Sequence, residues 1–126
     1  MALRPGLEAT VSLTVSDADT AVSHRSGDVP VLATPRLIAL CEEATVAAIA
    51  DHLDTGQTSV GTSIGLEHLE ASPVGARVTA HALLVEIDRQ ALTFAVTTHQ
   101  GDHEIGWGRV VRAILDRKRF LVGLED

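Results

Sequence analysis

The feature that most constrains the fold is one long helical pattern with apolar residues on nearly every side. It begins at Thr34, a residue type that favours the N-cap, and Pro35 follows at the first helical position, where a missing N–H costs nothing. Gly56 marks the predicted end of the helix, as a residue type that favours the C′ position. Because so little of its surface is polar, we expect this helix to be surrounded by other structure. Its apolar residues are Leu37, Ile38, Leu40, Cys41, Ala44, Ala47, Ala48, Ile49 and Leu53.

Five strand-like segments flank the helix in the sequence. The first alternates over residues 7–15, and the others follow at about 57–70, 76–88, 91–100 and 103–116. Short turns at 88–90 and 100–102 predict hairpins, and 72–75 predicts a longer turn. Residues 21–30 are polar and contain glycine and proline, so we predict a loop there.

The predicted order of elements is therefore β-α-β-β-β-β. Long antiparallel strands curved around one apolar helix form the hot-dog fold, of class α+β, and at 126 residues we expect one domain over 1–126. A single sheet of this kind leaves an edge strand exposed, and edge-to-edge pairing of two copies would cover it. We therefore expect a homodimer.

Charge and composition argue against several classes of partner. The formal net charge of −7 does not favour binding to nucleic acid or to an anionic membrane. The sequence predicts no secretory signal after Met1, no apolar run of about 20 residues, and no internal disulfide, because Cys41 is the only cysteine. We expect Cys41 to pack as a small apolar residue and the protein to be cytoplasmic. The basic run 117–119 is most simply a solvated chain end.

A hydroxyl, a carboxylate and an imidazole could together open an acyl bond, and Thr34, Glu42 and His68 supply them. Each also has a structural explanation. Thr34 could simply cap the helix. Glu42, like its neighbour Glu43, could simply be exposed to solvent. His68 shares the parity of Val60, Thr62, Ile64 and Leu66, an apolar face where a hydrogen-bonded core histidine is common.

Three segments, in this order and spacing, resemble the fluoroacetyl-CoA thioesterase family of hot-dog proteins. They are VLATPRLIALCEEA, SVGTSIGLEHLEASPVG and EIGWGRVVRAILDRKRF, and they span about 31–120. The resemblance implies that Thr34, Glu42 and His68 are catalytic, that Gly61 helps to hold the acyl group, and that Arg112 binds substrate. Arg112 alone could equally form an internal salt bridge, because an arginine on an apolar face needs an anionic or carbonyl partner.

The sequence departs from the family before the helix. The fluoroacetate-specific member carries phenylalanines in a lid there, whereas residues 24–30, HRSGDVP, contain no aromatic side chain. We therefore expect hydrolysis of acyl-CoA or acyl-carrier thioesters without fluoroacetyl selectivity. The alternatives are a non-catalytic acyl-CoA-binding module and an enoyl-thioester hydratase. We expect no cofactor and no metal, because the six histidines show no paired ligand spacing.

One geometric constraint follows from the helix itself. If Thr34 and Glu42 lie on one straight helix, eight residues separate them by about 12 Å. They would then meet only through a folded-back loop, across a dimer interface, or through substrate and water.

Overall fold

The central helix is shorter at its end than the sequence pattern predicts. The computed structural model describes residues 3–125, so the predicted absence of a signal peptide at Met1 concerns a residue outside the described part. Helix α2 spans Thr34–Ile49, and a 3-10 turn follows at Ala50–His52. Gly56 is therefore not its C′ residue. It adopts a positive φ of 86° in the turn before the next strand, a conformation that glycine reaches without strain.

The helix also begins one position earlier than predicted. Ala33 is the N-cap, with extended backbone, and its carbonyl accepts a hydrogen bond from the Leu37 N–H at 3.0 Å. Thr34 is thus the first helical residue, and Pro35 follows it in the first turn. The prediction of Thr34 as N-cap was wrong, and its hydroxyl is free to bind elsewhere.

Five antiparallel strands form one sheet in the order β1-β3-β4-β5-β2. Their bounds are Glu8–Thr14, Gln57–His68, Arg77–Asp88, Ala91–Gln100 and His103–Asp116 for β1 to β5. This arrangement around α2 confirms the predicted hot-dog fold. The two edges of the sheet are β1 and β2, which end the strand order.

The core lies between α2 and the concave face of the sheet. Strands β3 and β4 alternate between buried and partly exposed residues over most of their length, as a half-buried strand requires. The helix packs mainly against β1 and β3 and makes fewer contacts with β2 and β5. Its side towards β2 is therefore open. The largest fully buried apolar side chains are Phe94, Leu32, Leu37, Leu40, Ile49, Leu84, Leu92 and Ile105.

Edge strand β2 contains a bulge that changes which residues face the helix. Gly61 pairs with Arg112 and Ser63 pairs with Val111, so Thr62 is the extra residue. Directly opposed residues share a face, and Arg112 is buried. Gly61 therefore faces the helix before the bulge, and His68, paired with Gly106, faces it after the bulge. Ile64 and Leu66 share this face with His68, as predicted, whereas Val60 pairs with Ala113 and lies on the other face, because the bulge separates them.

Two short helices lie in segments that were predicted to be irregular. Helix α1, Ala21–His24, is capped by Thr20, whose side chain accepts a hydrogen bond from the Ser23 N–H. The predicted loop at 21–30 thus begins with a helical turn. Helix α3, Arg117–Val122, is capped in the same way by Asp116 through the Arg119 N–H. None of the helices within residues 3–125 is long and apolar enough to cross a membrane.

Candidate active site

Thr34 and His68 meet at the N-terminus of the central helix. The Oγ1 atom of Thr34 lies 2.7 Å from Nδ1 of His68, a short hydrogen bond between a hydroxyl and an imidazole. Helix α2 positions the threonine, and the last residue of β2 supplies the histidine. The structure therefore brings these two predicted site residues together.

The other ring nitrogen of His68 is buried without a partner. Nε2 has no hydrogen-bond partner among the described residues. Burial lowers the pKa of His68, while the nearby backbone of Glu70 acts in the opposite direction. The imidazole is thus held in its neutral form at neutral pH, the form that can exchange a proton with a hydroxyl.

A cavity of about 270 Å³ opens beside this pair. Its walls come from the segment before α2 and from the residues that follow β2, and most of them are small or apolar. Within the described part of the chain, no Phe, Tyr or Trp side chain lines this cavity. The lining residues are Ala21, Ser26, Gly27, Val29, Val31, Leu32, Thr34, His68, Leu69, Glu70 and Ala71.

Glu42, Gly61 and Arg112 form a second cluster at the middle of β2. The Arg112 Nη1 atom lies 3.6 Å from Glu42 Oε2, and the arginine side chain is 8% exposed against 36% for the glutamate. A Cβ atom added to Gly61 would lie 2.5 Å from Glu42 Oε2, which is closer than real contacts allow. The glycine therefore leaves room for the carboxylate against the strand.

Ser59 holds Arg112 in place and was not predicted from the sequence. Arg112 donates from Nε to Ser59 Oγ at 2.9 Å and from Nη2 to the Ser59 carbonyl at 3.1 Å. Burial lowers the pKa of Arg112, while the charge of Glu42 raises it. The internal salt bridge, the structural alternative for Arg112, is therefore present, and it fixes a guanidinium beside a carboxylate. A serine in a strand gives no sequence signal for such a role.

The two clusters remain separate within one chain. Thr34 and Glu42 both lie on α2, so the eight residues between them span about 12 Å along its axis. The folded-back loop is thus ruled out, because Thr34 is helical. Glu42 lines a different groove from Thr34, together with Ala39, Glu43, Val46, Ala47 and Arg112. Dimer contact, substrate or water remain as ways to join them.

Other reactive groups lie outside both clusters. Burial raises the pKa of the Cys41 thiol to about 12, with a smaller contribution from the charge of Glu42. This agrees with an apolar packing role for Cys41. Over residues 3–125, the structure contains no group of three or more His, Cys, Asp and Glu side chains placed to hold a metal ion.

The curved five-stranded sheet around one helix defines a hot-dog protein, with a Thr–His pair at the N-terminus of that helix. The sequence model described as fluoroacetyl-CoA-specific thioesterase (FlK) matches residues 15–118. The chain therefore belongs to the fluoroacetyl-CoA-specific thioesterase family.

Individual relatives agree with this family. The fluoroacetyl-CoA thioesterase of Streptantibioticus cattleyicolor is 38% identical over 90 residues, which cover 71% of this chain. The match spans 65% of that relative's length. A solved structure of the fluoroacetyl-CoA thioesterase FlK superposes with a TM-score of 0.91 at 30% identity, covering 98% of this chain and 96% of the other. A thioesterase superfamily member from Thermus thermophilus gives a TM-score of 0.87 at 25% identity, covering 94% of this chain and 88% of its own.

Proposed function

We propose that the chain hydrolyses acyl-CoA thioesters with Thr34, Glu42 and His68 as its catalytic residues. The observation that carries the proposal is the 2.7 Å contact between the Thr34 hydroxyl and the His68 imidazole beside a cavity. Variants of the FlK enzyme have been solved with acetyl-CoA and with fluoroacetate and CoA, which supports a CoA thioester as substrate. Acyl-carrier thioesters are a second substrate class to be tested.

In this mechanism Glu42 activates water. Its carboxylate removes a proton as the water oxygen adds to the thioester carbonyl carbon. With Nδ1 protonated, His68 donates to Thr34 Oγ1, and the Thr34 hydroxyl donates in turn to the developing oxyanion. Backbone N–H groups in the first turn of α2 add to this stabilisation, because they have no intrahelical partners. When the C–S bond breaks, the proton on Glu42 passes to the departing thiolate, giving a free acid and a free thiol.

Attack by Thr34 itself is the alternative route to the same products. Nδ1 of His68 would then accept the hydroxyl proton as Oγ1 adds to the carbonyl, and would pass it to the thiolate as the C–S bond breaks. The acyl-threonine that forms would be hydrolysed by water, which gives the free acid and restores the Thr34 hydroxyl. Rapid mixing of enzyme with excess acyl-CoA separates the routes. A burst of thiol equal to the enzyme concentration supports the acyl-enzyme, and linear release supports attack by water.

The proposed dimer would bring Glu42 of one subunit close to the Thr34–His68 pair of the other. Residues 61–65 of β2 are exposed along the sheet edge, which leaves this edge open to a second copy. If the β2 strands of two subunits pair antiparallel about Gly65, Leu66 of one subunit lies opposite Ile64 of the other. His68 then lies opposite the bulge that begins at Gly61. Since Gly61 adjoins Glu42, the glutamate of one subunit would lie near the Thr34–His68 pair of the other.

Mixing two inactive variants tests this shared site. Thr34→Ala and Glu42→Gln subunits, refolded together in equal amounts, should recover about a quarter of wild-type activity, because each mixed dimer keeps one complete site. If each site lay within one chain, the mixed dimers would stay inactive. Sedimentation of the wild type gives the oligomeric state independently.

The acyl pocket is proposed to accept a range of acyl groups. Ser26, Gly27 and Val29 line the cavity where the fluoroacetate-specific relative is expected to carry an aromatic lid. We therefore propose no fluoroacetyl selectivity. Thiol release from acyl-CoA substrates of increasing chain length, with fluoroacetyl-CoA beside acetyl-CoA, measures this. A strong preference for fluoroacetyl-CoA would contradict it.

The same assay separates the other candidate functions. A binding module would retain acyl-CoA and release no thiol, whereas a hydratase would change the absorbance of an enoyl thioester without releasing thiol. We also propose a cytoplasmic location, which is consistent with a single, buried, unpaired cysteine.

A further inference from the structure

An open trough leads from Glu42 along α2 and β2 to the basic segment at the start of α3. Two adjoining grooves form it, of about 460 Å³ beside Glu42 and about 400 Å³ beside Arg117. Val46 lines both grooves. Ser59 lines the second groove and binds Arg112, which lines the first, so the two are continuous.

The length of this trough can be estimated from the elements that line it. Ala50 follows the last residue of α2 in helical conformation and lies eight residues after Glu42, which corresponds to about 12 Å. Four residues of β2 separate Gly61 from Gln57, about 13 Å. Arg117 adjoins that end of β2, because its N–H donates to the Gly56 carbonyl at 2.9 Å. A ligand held at Glu42 and at Arg117 must therefore bridge about 12–13 Å.

The pantetheine arm of CoA fits this distance. Twelve bonds join its sulfur to the first phosphate-bearing oxygen, as many as in four residues of extended chain, which reach about 13–14 Å. A thioester carbonyl at Glu42 would thus place the phosphates of the nucleotide beside Arg117. Two amides in the arm would meet polar groups of the strand edge along the way.

The charges at the far end of the trough match such a ligand. Arg117, Lys118 and Arg119 are consecutive and exposed in a chain whose formal net charge is −7. Asp54 lines the same groove and Asp116 caps the helix, so three cations stand against two carboxylates. The net charge of these five groups is positive. A small anion bound here is attracted by them, because charges farther away than about 8 Å are screened at physiological salt.

We propose that the trough between α2 and β2 holds the pantetheine arm of the substrate and that Arg117, with Lys118 and Arg119, binds the phosphates of the CoA nucleotide. The proposal rests on the thioesterase function proposed above. It favours CoA over an acidic carrier protein, because a large acidic partner would meet the overall negative charge of this chain.

A substrate lacking the nucleotide tests the proposal. The variant carries Arg117→Gln, Lys118→Gln and Arg119→Gln, and its substrates are acetyl-CoA and the acetyl thioester of pantetheine. We expect KM for acetyl-CoA to rise about three- to tenfold with kcat unchanged, because exposed ion pairs contribute modestly and add up. KM for the pantetheine thioester should stay the same. Added salt should reduce the difference in KM for acetyl-CoA between the wild type and the triple variant.

Matched variants control for the loss of charge. Arg77→Gln removes a charge from β3, where the arginine contacts Ser12 near the opposite edge of the sheet, and should leave both KM values unchanged. Arg117→Gln alone should produce the largest share of the triple effect, because Arg117 lines the trough. Equal changes for both substrates, or no change for either, would overturn the proposal.

Two further outcomes keep this test separate from the proposed activity. If the wild type hydrolyses neither thioester, the thioesterase proposal fails. Calorimetry then still measures CoA binding and tests the phosphate site at Arg117. Weaker CoA binding by the triple variant than by Arg77→Gln would support the phosphate site, and equal binding would overturn it. If the triple variant loses activity only towards an acyl-carrier protein, the segment binds that protein and the nucleotide assignment is wrong.

Discussion

The hydroxyl of Thr34 lies 2.7 Å from Nδ1 of His68, which joins the first turn of the central helix to the end of an edge strand. The contact exists because Ala33, one residue earlier, is the N-cap. The hydroxyl oxygen of a threonine at the N-cap would accept a hydrogen bond from a backbone N–H of the first turn. One position later, the hydroxyl points instead to the imidazole, beside the unpaired N–H groups of the helix N-terminus.

Substitution of Thr34 separates chemistry from packing. Thr34→Ala should lower kcat at least a hundredfold, because one donor to the oxyanion is lost. Thr34→Ser keeps the hydroxyl and should retain activity within about tenfold of the wild type on the same basis. Thiol release measures both variants. Equal loss in the two would mean that the methyl group matters and the hydroxyl does not.

Glu42 and Glu43 form a matched pair on the same turn of α2. Glu42 contacts Arg112, whereas Glu43 is exposed and lies 3.8 Å from Arg36. Glu42→Gln should lower kcat about 10²- to 10⁴-fold, because the amide cannot accept a proton from water. Glu43→Gln removes the same charge and should leave kcat within about twofold, as expected for a weak surface ion pair. Full activity in Glu42→Gln would refute its assignment, provided that circular dichroism shows both variants folded.

Much of the fold could be predicted from the sequence because alternation in the core strands is strong. Strands β4 and β5 span the residues predicted, since their buried positions alternate with partly exposed ones. The end of α2 could not be read, because the alanine-rich pattern continues through Ala50, which is still in helical conformation. Helices α1 and α3 are single short turns, whose caps resemble those of ordinary loops.

The site could be predicted only in part, and β2 shows why. Its residues alternate as in a buried strand, yet Ile64 is 37% exposed, because β2 lies at the sheet edge. The bulge at Thr62 depends on pairing with β5, which a single strand does not reveal. The family resemblance selected Gly61 and His68 despite their opposite parity. The contact between Ser59 and Arg112 is long-range and had no local signal.

Gly61 should be sensitive to the smallest side chain. Gly61→Ala places a Cβ 2.5 Å from Glu42 Oε2, so the carboxylate must move. We expect kcat to fall about tenfold or more, since small displacements of a catalytic group are costly. The same change should cost less when the acid is shorter. The fall in kcat from Glu42→Asp to Gly61→Ala/Glu42→Asp should therefore be smaller than the fall from the wild type to Gly61→Ala. Unchanged kcat in Gly61→Ala would show that the position of Glu42 is not critical.

Arg112 should contribute to stability as well as to the site. Arg112→Lys keeps the charge but cannot make both hydrogen bonds to Ser59. The lost contacts of a buried group should lower the free energy of unfolding by about 1–3 kcal/mol. Urea denaturation measures this change. Ser59→Ala keeps the carbonyl contact and should cost less, so a larger loss in Ser59→Ala would contradict this account of Arg112.

The stability of the protein should depend on His68 below about pH 6.5. Burial lowers the pKa of His68 in the folded state below 6.5, so on acidification the unfolded chain takes up this proton first. The contribution is constant above pH 6.5, and it decreases as pH falls from 6.5 towards the folded-state pKa, by up to about 1.4 kcal/mol per pH unit. Urea denaturation of the wild type and His68→Asn at several pH values measures it, because the difference between their unfolding free energies should vary only below 6.5. A wild type that gains stability relative to His68→Asn on acidification would reverse the sign and contradict burial as the cause.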